Sequence, residues 1–151
     1  MRHARRTQGL TLLELTLIVA VIATVAAVIV IATTTWIHGA THARTAANES
    51  SAMDSLKAIH KANEQCFARS GKYADSLASL TAAASLDGQL GSGTKSGYAF
   101  DYWSDGRNWD VVAEPTTPGV SGKRSFFVDT SGVIRSSEGS VPTSKSPPAD
   151  S

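Results

Sequence analysis

The chain is poor in cysteine, in net charge and in any recognisable catalytic grouping. Cys66 is its only cysteine among 151 residues, so no intramolecular disulfide can hold the fold and apolar burial must do that work. Lys and Arg number 14 against 13 Asp and Glu. That balance leaves no basic excess of the kind nucleic-acid binding requires, and no specific nucleic-acid partner is expected. Three of the basic residues, Arg2, Arg5 and Arg6, precede an apolar run; without residues 1–9 the count becomes 11 against 13. The four histidines are scattered and Cys66 has no neighbouring base, so no nucleophilic triad is visible. The chain reads as a non-enzyme, with no cofactor and no metal.

Charge is also missing from residues 15–32, eighteen positions that are apolar apart from Thr16 and Thr24. That length reaches the threshold for a membrane-spanning helix. Residues 10–36 would extend about 40 Å at helical rise, with Trp36 at the far interface. Arginines ahead of the run place the N-terminus in the cytoplasm by the positive-inside rule. A cleaved secretory signal fits poorly, because "ATTTWIHGA" is a weak small-residue site and Glu14 interrupts the leader. A twin-arginine signal built on Arg5-Arg6 has the wrong flanks.

Glu14 needs an explanation, since a carboxylate inside hydrocarbon costs about 2.5–3.5 kcal/mol at mid-span and less near an interface. No lysine or arginine follows it before Arg44. A new α-amino group just ahead of the run would supply the missing cation.

The residues "QGLTLLEL" resemble the leader junction of the type IV pilin and type II secretion pseudopilin family. That junction has a short basic leader, a glycine, a hydrophobic first mature residue and a glutamate fifth. The resemblance implies cleavage between Gly9 and Leu10 by a prepilin peptidase, with N-methylation of Leu10 by the same enzyme. Phenylalanine is commoner at the position of Leu10. It further implies that Glu14 of one subunit neutralises the Leu10 ammonium of another, which makes Glu14 the subunit-assembly residue. The partners implied are identical or homologous subunits, the peptidase/methyltransferase, an inner-membrane assembly platform, and the membrane before assembly. The implied localisation is a single-pass precursor in a bacterial inner membrane, then a periplasmic or cell-surface filament for adhesion or motility.

No proline or glycine interrupts residues 10–38, and Ile31 stands where many pilins carry a helix-bending proline. Gly39 is a soft point, about 1 kcal/mol less favourable than alanine. Beyond it, Ala52, Leu56, Ile59, Asn63 and Phe67 share one face, with Cys66 at its edge, while Asp54, Lys57, Lys61 and Glu64 lie opposite. Ser70-Gly71 predicts the helix stop. After it, "YADSLASLTAAASL" predicts a short helix or turn and "DGQLGSGTKSG" a flexible loop. "YAFDYW" and "NWDVVAEP" predict a hairpin turning at Asp105-Gly106 in type I′ geometry, and "RSFFVD" with "VIR" a second one about "TSG". The run from "GYAFDYW" to "SGVIR" resembles the C-terminal sheet of bacterial pilin-like proteins.

The fold expected is α+β: a long N-terminal helix, transmembrane in its first half and amphipathic in its second, packed on a small four-stranded antiparallel sheet. The segments are a leader over 1–9, a filament-core helix over 10–35, its amphipathic continuation over 36–70, a globular head over 71–135 and a disordered polar tail over 136–151. "GSGTKSG" lacks the lysine and preceding strand of a phosphate loop, so a surface loop is favoured. Asp101, Asp105 and Asp110 lack calcium-loop spacing and read as turn and strand-edge carboxylates. The alternating aromatics read as sheet core, and the sequon at Asn48 is discounted because it lies on the helix. The function expected is a structural pilin. The alternatives are a pseudopilin or minor pilin, or a single-pass anchored binding module that never polymerises.

Overall fold

A computed structural model describes residues 12–84 and 86–149, with side chains for all of these except 25–40. Helix α1 covers Leu12–Ser70, α2 Leu77–Ala84 and α3 Gly88–Gly91. Five strands follow: β1 Thr94–Lys95, β2 Tyr98–Ser104, β3 Trp109–Pro115, β4 Arg124–Asp129 and β5 Arg135–Glu138. The chain divides into two compact units, Met1–Ala40 and Thr41–Ser151.

The α+β class holds, but two parts of the expected fold are corrected. The sheet has five strands rather than four, in the order β1-β2-β3-β4-β5 with every neighbour antiparallel. Among the described residues, moreover, no helix is long and apolar enough to cross a membrane. The described apolar side chains at the start of α1 occupy residues 12–24. That is about 20 Å of helix against a hydrocarbon core of about 30 Å. Glu14, Thr16 and Thr24 interrupt it. The transmembrane first half, the membrane as a partner before assembly and the single-pass inner-membrane precursor are withdrawn with it.

The second unit is built around one stripe of α1. Ala52, Leu56, Ile59 and Asn63 are all buried, at the three- and four-residue spacing that places them on one face. Phe67, expected on that face, is 41% exposed and stacks on Tyr73 with ring centroids 4.7 Å apart. The helix stops at Ser70 because Gly71 takes φ +70 and donates its N–H to the Phe67 carbonyl at 2.7 Å, a left-handed glycine cap. Helix α2 begins after Ser76, whose hydroxyl accepts from the Ser79 N–H, and it buries Leu77 and Leu80 in the same core.

Strands β2 and β3 present Tyr98, Phe100, Trp109, Val111 and Ala113 inward by the two-residue period, and β4 adds Phe126 and Val128. The tight turn lies elsewhere than expected. Lys95 pairs with Tyr98, leaving Ser96-Gly97 as a two-residue loop with φ +50 and +76, both positive as type I′ geometry requires. The β2–β3 loop is longer, because Ser104 pairs with Trp109. There the Asp105 carboxylate accepts from the Arg107 and Asn108 N–H groups at 2.8 and 2.6 Å, holding a four-residue loop open.

Residues beyond Glu138, expected to be disordered, return along the sheet. Pro142 is fully buried, and Pro148 bridges antiparallel to Arg135.

Candidate assembly surface and head clamp

Gly9 and Leu10, the expected cleavage and methylation positions, lie outside the described residues. Glu14 falls in the first turn of α1, where a carboxylate complements the positive end of the helix dipole. Around it Leu12, Leu13, Leu15, Leu17, Ile18, Val19, Val21 and Ile22 are all exposed, between 41% and 82%. They fall on every side of the helix rather than on one stripe. Thr16 and Thr24 do not break this surface with loose donors. Their hydroxyls donate to the Leu13 and Val21 carbonyls, each at 2.8 Å. The result is an apolar cylinder carrying one carboxylate.

The other functional grouping was missed from sequence. Glu49 is buried on α1 and faces the chain leading into β4. Its Oε1 accepts from the Lys123 N–H at 2.9 Å and the Arg124 N–H at 3.3 Å, and its Oε2 accepts from Arg124 Nε at 2.9 Å. Burial pushes the Glu49 carboxyl up, but the Lys123 N–H and the Arg124 donors outweigh it and hold the group below its ordinary value. Arg124 in turn lies over the Phe126 ring, 5.3 Å from its centroid.

Polar neighbours complete the clamp. Asn48 Nδ2 donates to the Ser121 carbonyl at 2.9 Å, so the discounted sequon residue is a structural tie between α1 and the β3–β4 connection. The Thr45 hydroxyl reaches the Val120 carbonyl at 3.1 Å. Tyr98, fully buried, donates from its hydroxyl to the Arg124 carbonyl at 2.8 Å, and burial drives its phenol strongly upward. A Cβ at Gly122 would land on that hydroxyl, so glycine is required there by space. Thr45 and Glu49 extend the stripe of Ala52, Leu56 and Ile59 backwards at the same spacing. That continuation was the available signal, hidden because the stripe turns polar.

The remaining sequence candidates resolve as structural parts. Lys95 of "GSGTKSG" is 2.8 Å from the Asp87 carboxylate, and Asp87 caps α3 through the Gln89 N–H. Cys66 packs against the core. Asp105 serves the β2–β3 loop. Asp110 pairs directly with Asp129 across β3 and β4, and burial, then the Asp129 and Asp101 charges, raise its carboxyl above the usual value. Among the described residues no group of His, Cys, Asp and Glu could hold a metal ion.

No protein-family model matches the chain, and no curated protein matches it.

Proposed function

We propose that this chain is a pilin, a structural subunit of a type IV pilus-like filament, whose copies associate through the apolar N-terminal part of α1. The observation that carries the reading is the cylinder of exposed aliphatic side chains over residues 12–24, with Glu14 as its carboxylate. So large an apolar surface marks an interaction site, and further copies of the chain bury it. Cleavage between Gly9 and Leu10, as the leader resemblance implies, creates an α-ammonium four residues ahead of Glu14. In the filament that ammonium meets the Glu14 carboxylate of another copy, where an unpaired charge would be heavily penalised. The head, clamped through Glu49, is displayed on the outside.

The test compares sheared filaments from wild type, Glu14→Val and Glu14→Gln, with the subunit mass read by mass spectrometry. Removing one side of a buried ion pair costs about 3–5 kcal/mol, so Glu14→Val is expected to lower filament yield a hundredfold or more. Glu14→Gln is expected to be milder, since its amide oxygen still accepts from the ammonium. The mature mass is expected to begin at Leu10 with one added methyl. Wild-type yield from Glu14→Val, or a chain that retains Met1, overturns the reading.

A further inference from the structure

One face of the sheet is turned away from α1. Tyr98 and Phe100 of β2 are buried inward, so the two-residue period turns Asp101 and Trp103 outward. Register carries this face across the strands: Trp103 pairs with Asp110 and Asp110 with Asp129, while Asp101 pairs with Val112 and Val112 with Phe127. Trp103 is 55% exposed. No ion pair among the described residues reaches Asp101, Asp110 or Asp129. The basic side chain in these rows, Arg135, lies three strands away on β5 and is tied to the Ser146 carbonyl. Three aspartates thus share a face with an exposed indole, and burial, then the Asp129 and Asp101 charges, raise the Asp110 carboxyl. A cation set against the indole would relieve that repulsion and gain cation–π attraction.

The same strand has an unpaired stretch of edge. Strand β1 pairs only with Tyr98 and Ala99 of β2. The Phe100 N–H donates to the Gly93 carbonyl at 2.8 Å, so the backbone groups of Phe100 point away from β3. Successive residues alternate, and Tyr102 and Ser104 therefore point the same way. Among the described residues no hydrogen bond uses their backbone groups on that side. The segment after α1 comes near without taking them. Its Ala74 carbonyl accepts from the Tyr102 hydroxyl at 2.8 Å, and its Tyr73 N–H donates to the Gly106 carbonyl at 3.0 Å. Such an edge accepts a further strand. In antiparallel addition Asp101 and Trp103 become the non-hydrogen-bonded positions, where facing side chains come closest.

We propose that the edge of β2 at residues 102–104 docks an extended segment of another protein, one that carries lysine or arginine at every second residue. The backbone of that segment pairs with Tyr102 and Ser104, and its basic side chains fall beside Trp103 and Asp101 on the acidic face. Charge complementarity sets the sign of the occupant, and the open edge makes it a strand rather than a small amine. It comes from another protein because no lysine or arginine of this chain stands two residues from another. The site lies within the head and does not depend on the filament reading.

The probe is a fluorescent peptide of alternating threonine and arginine, titrated with the full chain in nonionic detergent and followed by anisotropy. It is expected to bind, more weakly as salt rises. Trp103→Ala is expected to weaken binding roughly tenfold, the scale of a desolvated cation–π contact. Asp101→Asn, an isosteric change at an exposed position, is expected to weaken it less and keeps the test valid should Trp103→Ala fail to fold by near-ultraviolet circular dichroism. Asp54→Asn, which removes an exposed carboxylate from α1, is expected to leave binding unchanged. A second peptide keeps every side chain but is N-methylated at its threonines, so it cannot donate to β2, and it is expected to lose binding. No binding of the first peptide overturns the proposal, as does equal binding by wild type and Asp101→Asn. Equal losses from Asp54→Asn and Asp101→Asn, or equal binding of the two peptides, would mean attraction to charge without strand pairing and also overturn it.

Discussion

Helix α1 carries two apolar regions that solve the same problem in opposite ways. Over residues 12–24 the aliphatic side chains surround the helix and lie exposed. Over residues 45–63 the buried apolar residues Ala52, Leu56 and Ile59 share one stripe and lie in one core with the inward side chains of the sheet, while Ala46, Ala47 and Ala58 off that stripe are exposed. A stripe finds its partner in the same molecule, because one sheet can cover one face. A cylinder cannot be covered by one face of one sheet. The distribution of leucine and valine around the helix, rather than their number, separates the side chains that are buried in the head from those that stay exposed.

The comparison breaks most sharply at Leu56. Leu56→Ala is expected to lower head stability by about 2–5 kcal/mol, because the side chain is fully buried and leaves a cavity. Leu17→Ala, the same deletion at a site 64% exposed, is expected to change head stability by less than about 0.5 kcal/mol while weakening self-association. Thermal unfolding followed by near-ultraviolet circular dichroism, to which the buried Trp109 contributes, separates the two. Equal losses would mean that the head does not distinguish the regions.

A smaller effect sharpens the boundary between stripe and clamp. Glu49→Ala is expected to cost about 1–2 kcal/mol at neutral pH, by leaving the Lys123 and Arg124 N–H groups without their acceptor. The figure is held low because the Arg124 side chain is 37% exposed and water screens the ion pair. The sign with pH follows from the direction of the shift. The folded carboxyl lies below the ordinary 4.5, so its stabilisation is present above that value and is lost as pH falls through the folded value. Urea midpoints measured from neutral to strongly acidic pH should therefore converge for wild type and variant at the acid end. Parallel curves would remove Glu49 from the clamp.

The smallest expected effect has the opposite sign. Asp110 is raised by burial and by Asp129 and Asp101, so the folded head disfavours its ionised form. Its contribution to instability is absent at acid pH and appears as pH rises above the ordinary 3.8. Asp110→Asn is expected to stabilise the head at pH 7 by a few tenths of a kcal/mol up to about 1, the range for like charges directly opposed on a sheet. The gain should vanish below the Asp110 titration, and a loss of stability at pH 7 would refute it.

Local signals determined much of this protein. The helix end follows from Gly71 after Ser70. The buried stripe follows from three- and four-residue spacing, and strands β2, β3 and β4 from alternation bounded by Gly, Pro and Asp. These are properties of a few adjacent residues, so a linear reading reaches them. Tertiary structure alone decided the rest. The Glu49–Arg124 pair joins residues 75 apart, and nothing near either predicts the other. The type I′ turn fell at Ser96-Gly97 instead of Asp105-Gly106, because the Asp105 side chain found two N–H groups that closed a wider loop. Composition marked the Pro/Ser-rich tail as disordered, whereas its described residues are bonded to the sheet. It orders because β5 presents an edge with unspent hydrogen bonds, and only the assembled sheet has an edge to offer.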